Sequence, residues 1–201
     1  MKKKILAGII ATLALGTVTA MAAPQPLEEG GVTIMKGYNI SPDAEAGGTD
    51  YDGKSGFYGN ITYGMGNNWG IQYDYSHGEY KGNSFKAKTD ANEVNLLYRL
   101  DEYTNVYAGY TYIGLSEPRG GASGSGIQVG LQAHYPFSDK FIGFGKLGLG
   151  TASSIYELGV SYVLSERWDL DVSYRYADYE DVRGSADITY DGIRLGITTK
   201  Y

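Results

Sequence analysis

Residues 168–176 read Trp-Asp-Leu-Asp-Val-Ser-Tyr-Arg-Tyr, and this stretch decides how the rest of the sequence is interpreted. Apolar or aromatic side chains occupy the even positions from Trp168 to Tyr176, and polar side chains occupy the odd positions between them. Side chains of a β-strand point alternately to opposite faces, whereas a helix would spread this pattern around its circumference. The stretch therefore predicts a strand with one apolar and one polar face.

The same alternation recurs along most of the chain. Six further segments show it clearly: 69–76, 93–100, 106–113, 127–135, 156–164 and 193–201. Three segments alternate less regularly: 32–40, 57–63 and 141–149. Lys36 falls on the apolar face of the first of these, and glycines blur the faces of the last. The ten segments together predict an all-β, antiparallel, up-and-down transmembrane β-barrel of ten strands, with eight strands as the alternative.

The connections between the segments alternate in length, apart from a short one at Gly150–Ser153. Tight links are predicted at Met65–Asn68, Asp101–Thr104, Pro136–Lys140 and Ser165–Arg167. Longer links are predicted at Ser41–Lys54, Lys81–Asp90, Leu115–Ser123 and Tyr179–Ala186. Short periplasmic turns and long external loops are typical of bacterial outer-membrane barrels.

Aromatic side chains indicate that the apolar face points to lipid and not to the inside of a soluble barrel. One group lies beside the tight links: Trp69, Tyr135, Phe137, Phe141, Trp168 and Tyr201. A second group lies beside the long links: Tyr38, Phe57, Tyr75, Tyr112, Tyr156 and Tyr176. Amphipathic rings favour the two membrane interfaces, so the two groups predict two aromatic girdles.

The N-terminus has the pattern of a secretory signal peptide. Three lysines after Met1 precede an apolar run from Ile5 to Leu15, and small residues follow up to Ala22. This pattern predicts a signal peptide over residues 1–22 and a barrel domain over residues 23–201. Without the three lysines, 14 basic residues remain against 23 acidic ones, which argues against a nucleic-acid partner. The chain has no cysteine, so packing and hydrogen bonds must hold it together.

The last residues, Arg194-Leu-Gly-Ile-Thr-Thr-Lys-Tyr201, resemble the C-terminal signal of bacterial outer-membrane proteins. Arg194, Gly196 and Tyr201 match that signal, whereas Thr199 stands where an apolar residue is usual. With the alternation, the chain resembles the small barrels that include the opacity proteins, OmpX/Ail-type proteins and the transmembrane domain of OmpA. The resemblance implies a diderm outer membrane, contact with its lipid and insertion by the outer-membrane assembly machinery.

The polar face collects charges that would point into the barrel. They are Asp74, Glu93, Arg99, Lys146, Glu157, Asp169, Asp171, Arg175 and Arg194. Buried charges are costly without partners, so we expect mutual ion pairs that fill the lumen. The alternative is a small porin-like channel for ions or small solutes.

The predicted external loops are acidic, with Asp50, Asp52, Asp178, Glu180 and Asp181 as their main carboxylates. We expect them to keep the surface solvated; the alternative is divalent-cation binding or contact with a host or envelope partner. His77 and His134 are the two histidines, and neither lies in a local His-x-Ser motif or beside an Asp in the sequence. The sequence therefore predicts a structural or surface-interaction protein that is not an enzyme and has no cofactor or metal site.

Cleavage after Ala22 is directly testable. Intact-mass measurement of protein extracted from envelopes should give a chain that begins at Ala23, because the small residues before it fit the signal peptidase. A mass that retains residues 1–22 would contradict the signal-peptide interpretation and favour an uncleaved anchor.

Overall fold

The backbone closes into one barrel, as a sheet in hydrocarbon must if no hydrogen-bonding group is to remain free. This computed structural model describes residues 27–46, 49–81, 86–117, 120–182 and 186–201, so the predicted signal peptide lies outside it. The strands are β1 Val32–Ala46, β2 Thr49–Gly66, β3 Trp69–Lys81, β4 Lys86–Arg99, β5 Thr104–Glu117, β6 Gly120–Ser138, β7 Phe141–Gly150, β8 Ser153–Ser165, β9 Trp168–Val182 and β10 Ala186–Lys200.

Each strand pairs antiparallel with its neighbours in the chain, and β1 closes the barrel against β10. The prediction of an all-β, ten-stranded, up-and-down barrel is therefore confirmed. The tight link between β2 and β3 shows how a short turn is made: Asn67 and Asn68 have φ of 53° and 67°. Two consecutive residues with positive φ form the turn whose twist matches that of the paired strands, and asparagine tolerates this conformation.

The lipid-facing wall is an apolar band. On β10, Ile193, Leu195 and Ile197 are all exposed by more than a third, although they are large and apolar. Trp168 to Tyr174 on β9 show the same exposure at alternate positions. Between Ile193 and Tyr201 the tilted strand rises about 20 Å, close to the height of the apolar band of outer-membrane barrels.

The long external links predicted from the sequence are wrong in their extent, because the strands continue into them; residues 47–48, 82–85, 118–119 and 183–185 of these links lie outside the described residues. β9 illustrates the reason: beyond Tyr176 the alternation persists, but the two faces exchange character. The outward positions become Asp178 and Glu180, and the inward ones become Ala177 and Tyr179, which are 0 % and 2 % exposed. Outside the bilayer, water covers the wall, so the strands hold together around an apolar interior as in a soluble barrel.

We call this part of the barrel the external extension. Its interior is one cluster of buried side chains, Tyr80, Ala87, Ala91, Ile113, Ile155, Ala177, Tyr179, Val182, Ile188 and Tyr190. The cluster closes the external end of the lumen.

The periplasmic end is closed by the residues before β1. Leu27 is 4 % exposed and packs against Leu97 and Tyr107 inside the barrel. The amide of Gly30 donates to the carbonyl of Gly64 at 2.9 Å, and the amide of Gly64 donates to the carbonyl of Gly31 at 2.9 Å. These bonds hold the segment across the mouth, with its leucine pointing into the lumen.

Lys36, which weakened the sequence assignment of β1, is an outward residue in the middle of the apolar band. It is exposed and pairs with Gly59 on one side and with Ile197 on the other. A lysine at the midplane of such a wall costs about 2–4 kcal/mol. The alternation of β1 is therefore intact, and Lys36 is an exception within it.

Packing inside the lumen brings the backbone of Leu147 and the ring of Tyr107 very close to Gly130. A Cβ atom there would lie 2.1 Å from the carbonyl oxygen of Leu147 and 2.5 Å from the ring of Tyr107. Gly130→Ala should therefore lower the free energy of unfolding by about 1–3 kcal/mol through overpacking.

The measurement is urea unfolding in vesicles, followed by the gel mobility of unboiled samples. Gly145→Ala is the matched control, because a Cβ atom there would have no neighbour closer than 3.4 Å. Equal stability of the two variants would contradict the packing described for Gly130.

Candidate functional site

The centre of the lumen is held by Glu93 on β4. Its side chain is 2 % exposed, and Lys146 Nζ lies 2.8 Å from its Oε2. Arg175 forms a close ion pair with the other carboxylate oxygen. Gln128 Nε2 also donates to Oε2, at 3.2 Å. Because β4 and β9 stand on opposite sides of the ring of ten strands, the bond from Arg175 crosses the lumen.

Glu157 forms the second anionic centre. Arg175 Nη1 and Arg194 Nη1 approach its Oε2 at 3.4 and 3.3 Å. Ser173 Oγ donates to its other oxygen at 2.7 Å. Arg194 also donates from Nε to Asn39 Oδ1 at 3.1 Å. Arg175 thus joins the two carboxylates into one network.

Asp74 is the third carboxylate that joins these ion pairs. Its Oδ2 lies 3.1 Å from Lys146 Nζ, and Asn60 donates to its Oδ1 at 2.6 Å. The network then contains three carboxylates and three cations, with no net charge. We call these residues the central network: Asp74, Glu93, Lys146, Glu157, Arg175 and Arg194. The expected mutual pairing is present for these six.

Two tyrosines that the sequence analysis did not select contact the central network. The ring of Tyr58 lies 4.5 Å from the guanidinium carbon of Arg194, and the ring of Tyr107 lies 5.3 Å from Lys146 Nζ. A small cavity of about 10 Å³ lies among Tyr58, Arg175, Arg194 and their neighbours. That is room for about one water molecule.

Three of the nine predicted lumen charges lie nearer the periplasm. Asp169 pairs with Lys200 at 2.7 Å, and Asp171 accepts a hydrogen bond from Thr198 at 2.6 Å. In the described part of the chain, Nε and Nη2 of Arg99 are buried without a hydrogen-bond partner. The nine charges therefore do not form a single network.

The predicted C-terminal signal residues have separate structural positions. Arg194 belongs to the central network. At Gly196, a Cβ atom would lie 2.3 Å from the hydroxyl of Tyr58, so the glycine makes room for that ring. Tyr201 is 72 % exposed on the outer wall, and its amide donates to the carbonyl of Val32 at 2.9 Å. Their role in insertion stays a prediction.

The five predicted loop carboxylates lie in strands of the external extension. Asp50 and Asp52 are in β2, opposite Glu45 and Asp43 of β1 in the register. Asp178, Glu180 and Asp181 are in β9. The register joins β2, β1, β10 and β9 side by side, so these five residues belong to adjoining strands, which we call the acidic sector. Within the described residues, no group of three or more His, Cys, Asp or Glu is arranged to hold a metal ion.

A histidine–aspartate pair was missed by the sequence analysis. His77 Nδ1 lies 2.8 Å from Asp90 Oδ1, because these residues are direct partners in the β3–β4 register. The phenol of Tyr75 donates to the same oxygen at 2.6 Å. Burial would raise the pKa of Asp90, but hydrogen bonds from Tyr75 and His77 outweigh it and lower this pKa below the usual range. The pair lies on the outer wall, above the apolar band.

The central network generates a stability prediction. Glu93→Gln leaves Lys146 and Arg175 buried without their shared anion, so the free energy of unfolding should fall by about 3–5 kcal/mol. Adding Lys146→Met should recover part of this loss, because the network then again holds equal numbers of carboxylates and cations, Asp74 and Glu157 with Arg175 and Arg194. Urea unfolding in vesicles measures both changes.

Glu79→Gln serves as the control for this prediction. Glu79 pairs with Lys88 at 2.8 Å on the exposed outer wall, where an ion pair contributes about 0–1 kcal/mol. If Glu93→Gln lowers the free energy of unfolding no more than Glu79→Gln does, the lumen charges are solvated and the central network does not stabilise the barrel.

Comparison with known proteins gives the same architecture. Solved structures that resemble this chain include Neisserial surface protein A, at 17 % identity and a TM-score of 0.50, with 86 % of this chain and 100 % of that one covered. The outer membrane protease OmpT of Escherichia coli has 10 % identity and a TM-score of 0.62, with 85 % and 97 % covered. Ail of Yersinia pestis has 17 % identity and a TM-score of 0.44, with 87 % and 100 % covered.

At these identities the likeness to Neisserial surface protein A and to OmpT concerns the fold alone. No curated protein matches the chain. The model of one protein family, described as the outer membrane protein beta-barrel domain, matches residues 10–200. The match spans nearly the whole sequence and agrees with the closed barrel and its apolar wall. The chain therefore belongs to the outer membrane protein β-barrel family and resides in the outer membrane.

Proposed function

We propose that this protein is a membrane-anchored barrel with a closed lumen, which acts through its external rim and not through a pore. The observation that carries the proposal is the central network, which crosses the lumen from β4 to β9 through the bond between Glu93 and Arg175. The cavity beside it has room for about one water molecule.

Closure at both ends supports the same function. The interior of the external extension is filled by the apolar cluster, and Leu27 fills the periplasmic mouth. An aqueous path would have to pass three barriers of different chemistry. Opening the middle one would separate paired charges in a low-dielectric interior, where the loss of one partner costs several kcal/mol.

The external extension supports a role in surface contact. It raises the acidic sector beyond the apolar band, and Asp43, Glu45 and Glu180 are exposed there. Carboxylates attract cationic groups and repel phosphates, so the proposed external partner presents a basic surface. Contact would be electrostatic and should weaken as the salt concentration rises.

His77 has a structural role in this proposal. The Nε2 atom of the ring, which would have to act as a base, lies 4.0 Å from Glu79 Oε1, and the ring lies against Phe57 at 5.1 Å. We infer that the pair with Asp90 supports the outer wall at the membrane surface.

Planar-bilayer recording tests the closed lumen against the channel alternative. The folded wild-type protein should give no stepwise current, because ions find no continuous aqueous path. A porin recorded in the same bilayers shows that the assay detects conductance, and the mobility of unboiled protein shows that the barrel is intact. Reproducible current steps from the intact barrel would overturn the proposal and favour a small ion channel.

A further inference from the structure

Lys36 is a charge in an otherwise uncharged wall. The apolar band comprises the outward residues of 32–40, 57–65, 69–75, 94–100, 106–112, 127–137, 141–149, 156–164, 168–176 and 193–201. All of these positions belong to the described residues, and Lys36 is the one charged side chain among them. Charged residues at this depth are rare and mark a functional contact by default.

The depth of Lys36 in the membrane decides whether its partner is a lipid or a protein. It lies midway along the strand between Val32 at the periplasmic edge and Ile40 at the external edge. With a rise of 3.3 Å per residue and the usual strand tilt, each edge is about 10 Å away. The single bonds from Cα to Nζ of a lysine reach about 6 Å. A lipid phosphate at either surface is therefore beyond the reach of the ammonium group.

The barrel itself supplies no anion. Lys36 makes no hydrogen bond or ion pair with the described part of the chain, and its neighbours in the register are Gly59 and Ile197. Because the described band contains no outward carboxylate, the same wall of a second copy offers no partner either. The partner must bring its own negative charge to mid-depth.

Gly59 provides the space for such a partner. A Cβ atom added at Gly59 would have no neighbour closer than 3.8 Å, so the wall beside Lys36 is open. Phe57 and Ile61, the outward residues on either side of Gly59 along β2, are 47 % exposed each and form the walls of this dent. A protruding side chain fits a dent of this kind better than a flat bilayer does.

We propose that Lys36 and Gly59 form a lateral docking site for a different integral outer-membrane protein, which inserts an Asp or Glu side chain opposite Lys36. The carboxylate pairs with the ammonium group, and the adjoining surface of the partner fills the dent at Gly59. This site is independent of the rim and of the closed lumen.

Photocrosslinking in intact envelopes tests this site. A photoreactive amino acid replaces Ile61, which borders the dent without filling it, in three backgrounds: wild type, Lys36→Arg and Lys36→Leu. The matched control position is Val129 on β6, which is 62 % exposed on the opposite side of the barrel. Unboiled gel mobility confirms that each variant is folded before it is compared.

The expected result is a protein adduct at residue 61 that depends on the positive charge at residue 36. The adduct should be equally strong in the wild type and in Lys36→Arg, because both keep that charge. It should be at least tenfold weaker in Lys36→Leu and absent at residue 129. Mass spectrometry of the adduct should place an Asp or Glu within the crosslinked segment of the partner.

Several results would overturn the proposal. They are no protein adduct at residue 61, an adduct that survives Lys36→Leu unchanged, an adduct of equal strength at residue 129, an adduct with phospholipid alone, and an adduct with a second copy of this chain. Each of them would show that the charge at residue 36 does not select a different membrane protein at this position.

A measurement on purified protein complements the crosslinking. In vesicles that contain no partner, Lys36→Leu should raise the folding equilibrium constant by roughly 30- to 1,000-fold, because the uncompensated charge is gone. An unchanged constant would show that Lys36 is already neutralised without a partner, which would also overturn the proposal.

Discussion

The absence of water in the hydrocarbon core is the constraint on which the rest of this structure depends. Every backbone N–H and C=O in the membrane must pair within the protein, so the sheet closes through β1 and β10. Closure creates an interior that lipid cannot reach, and inward side chains fill it. Polar side chains pointing inward must then satisfy each other, as Glu93, Lys146 and Arg175 do.

The same constraint explains why the two faces of β9 exchange character beyond Tyr176. Within the bilayer, the outside of the barrel must be apolar and the inside can be polar. Above the bilayer, water wets the outside, and Ala177 and Tyr179 hold the inside together by apolar burial. One continuous strand therefore serves a membrane barrel at one end and a soluble barrel at the other.

Alternation made the fold predictable from the sequence, because a period of two is local and survives in every strand. The strand count, the lipid-facing residues and the tight links follow from it. The length of the strands did not, because the exchange of faces after Tyr176 was interpreted as the start of a loop. The signal was present in Asp178-Tyr-Glu180, where polar and aromatic residues still alternate. For the six charged residues of the central network, an inward position was predictable from the sequence, but the contacts between them were not. Alternation alone assigns Glu93 and Arg175 to the lumen, yet their contact across the barrel depends on strand order and on stagger, which no local pattern encodes.

The external extension has a consequence for how the rim can evolve. Two residues separate Ala46 at the end of β1 from Thr49 at the start of β2, so the paired strands carry their order almost to the tip of the hairpin. A surface that is ordered before contact loses little conformational entropy on binding, and preorganisation of this kind raises affinity without new contacts. The apolar cluster of the external extension is inside the barrel, whereas Asp43, Glu45 and Glu180, which we propose to meet a partner, are exposed outside it. Recognition can therefore change by substitution on the outer surface while the stability of the scaffold is conserved.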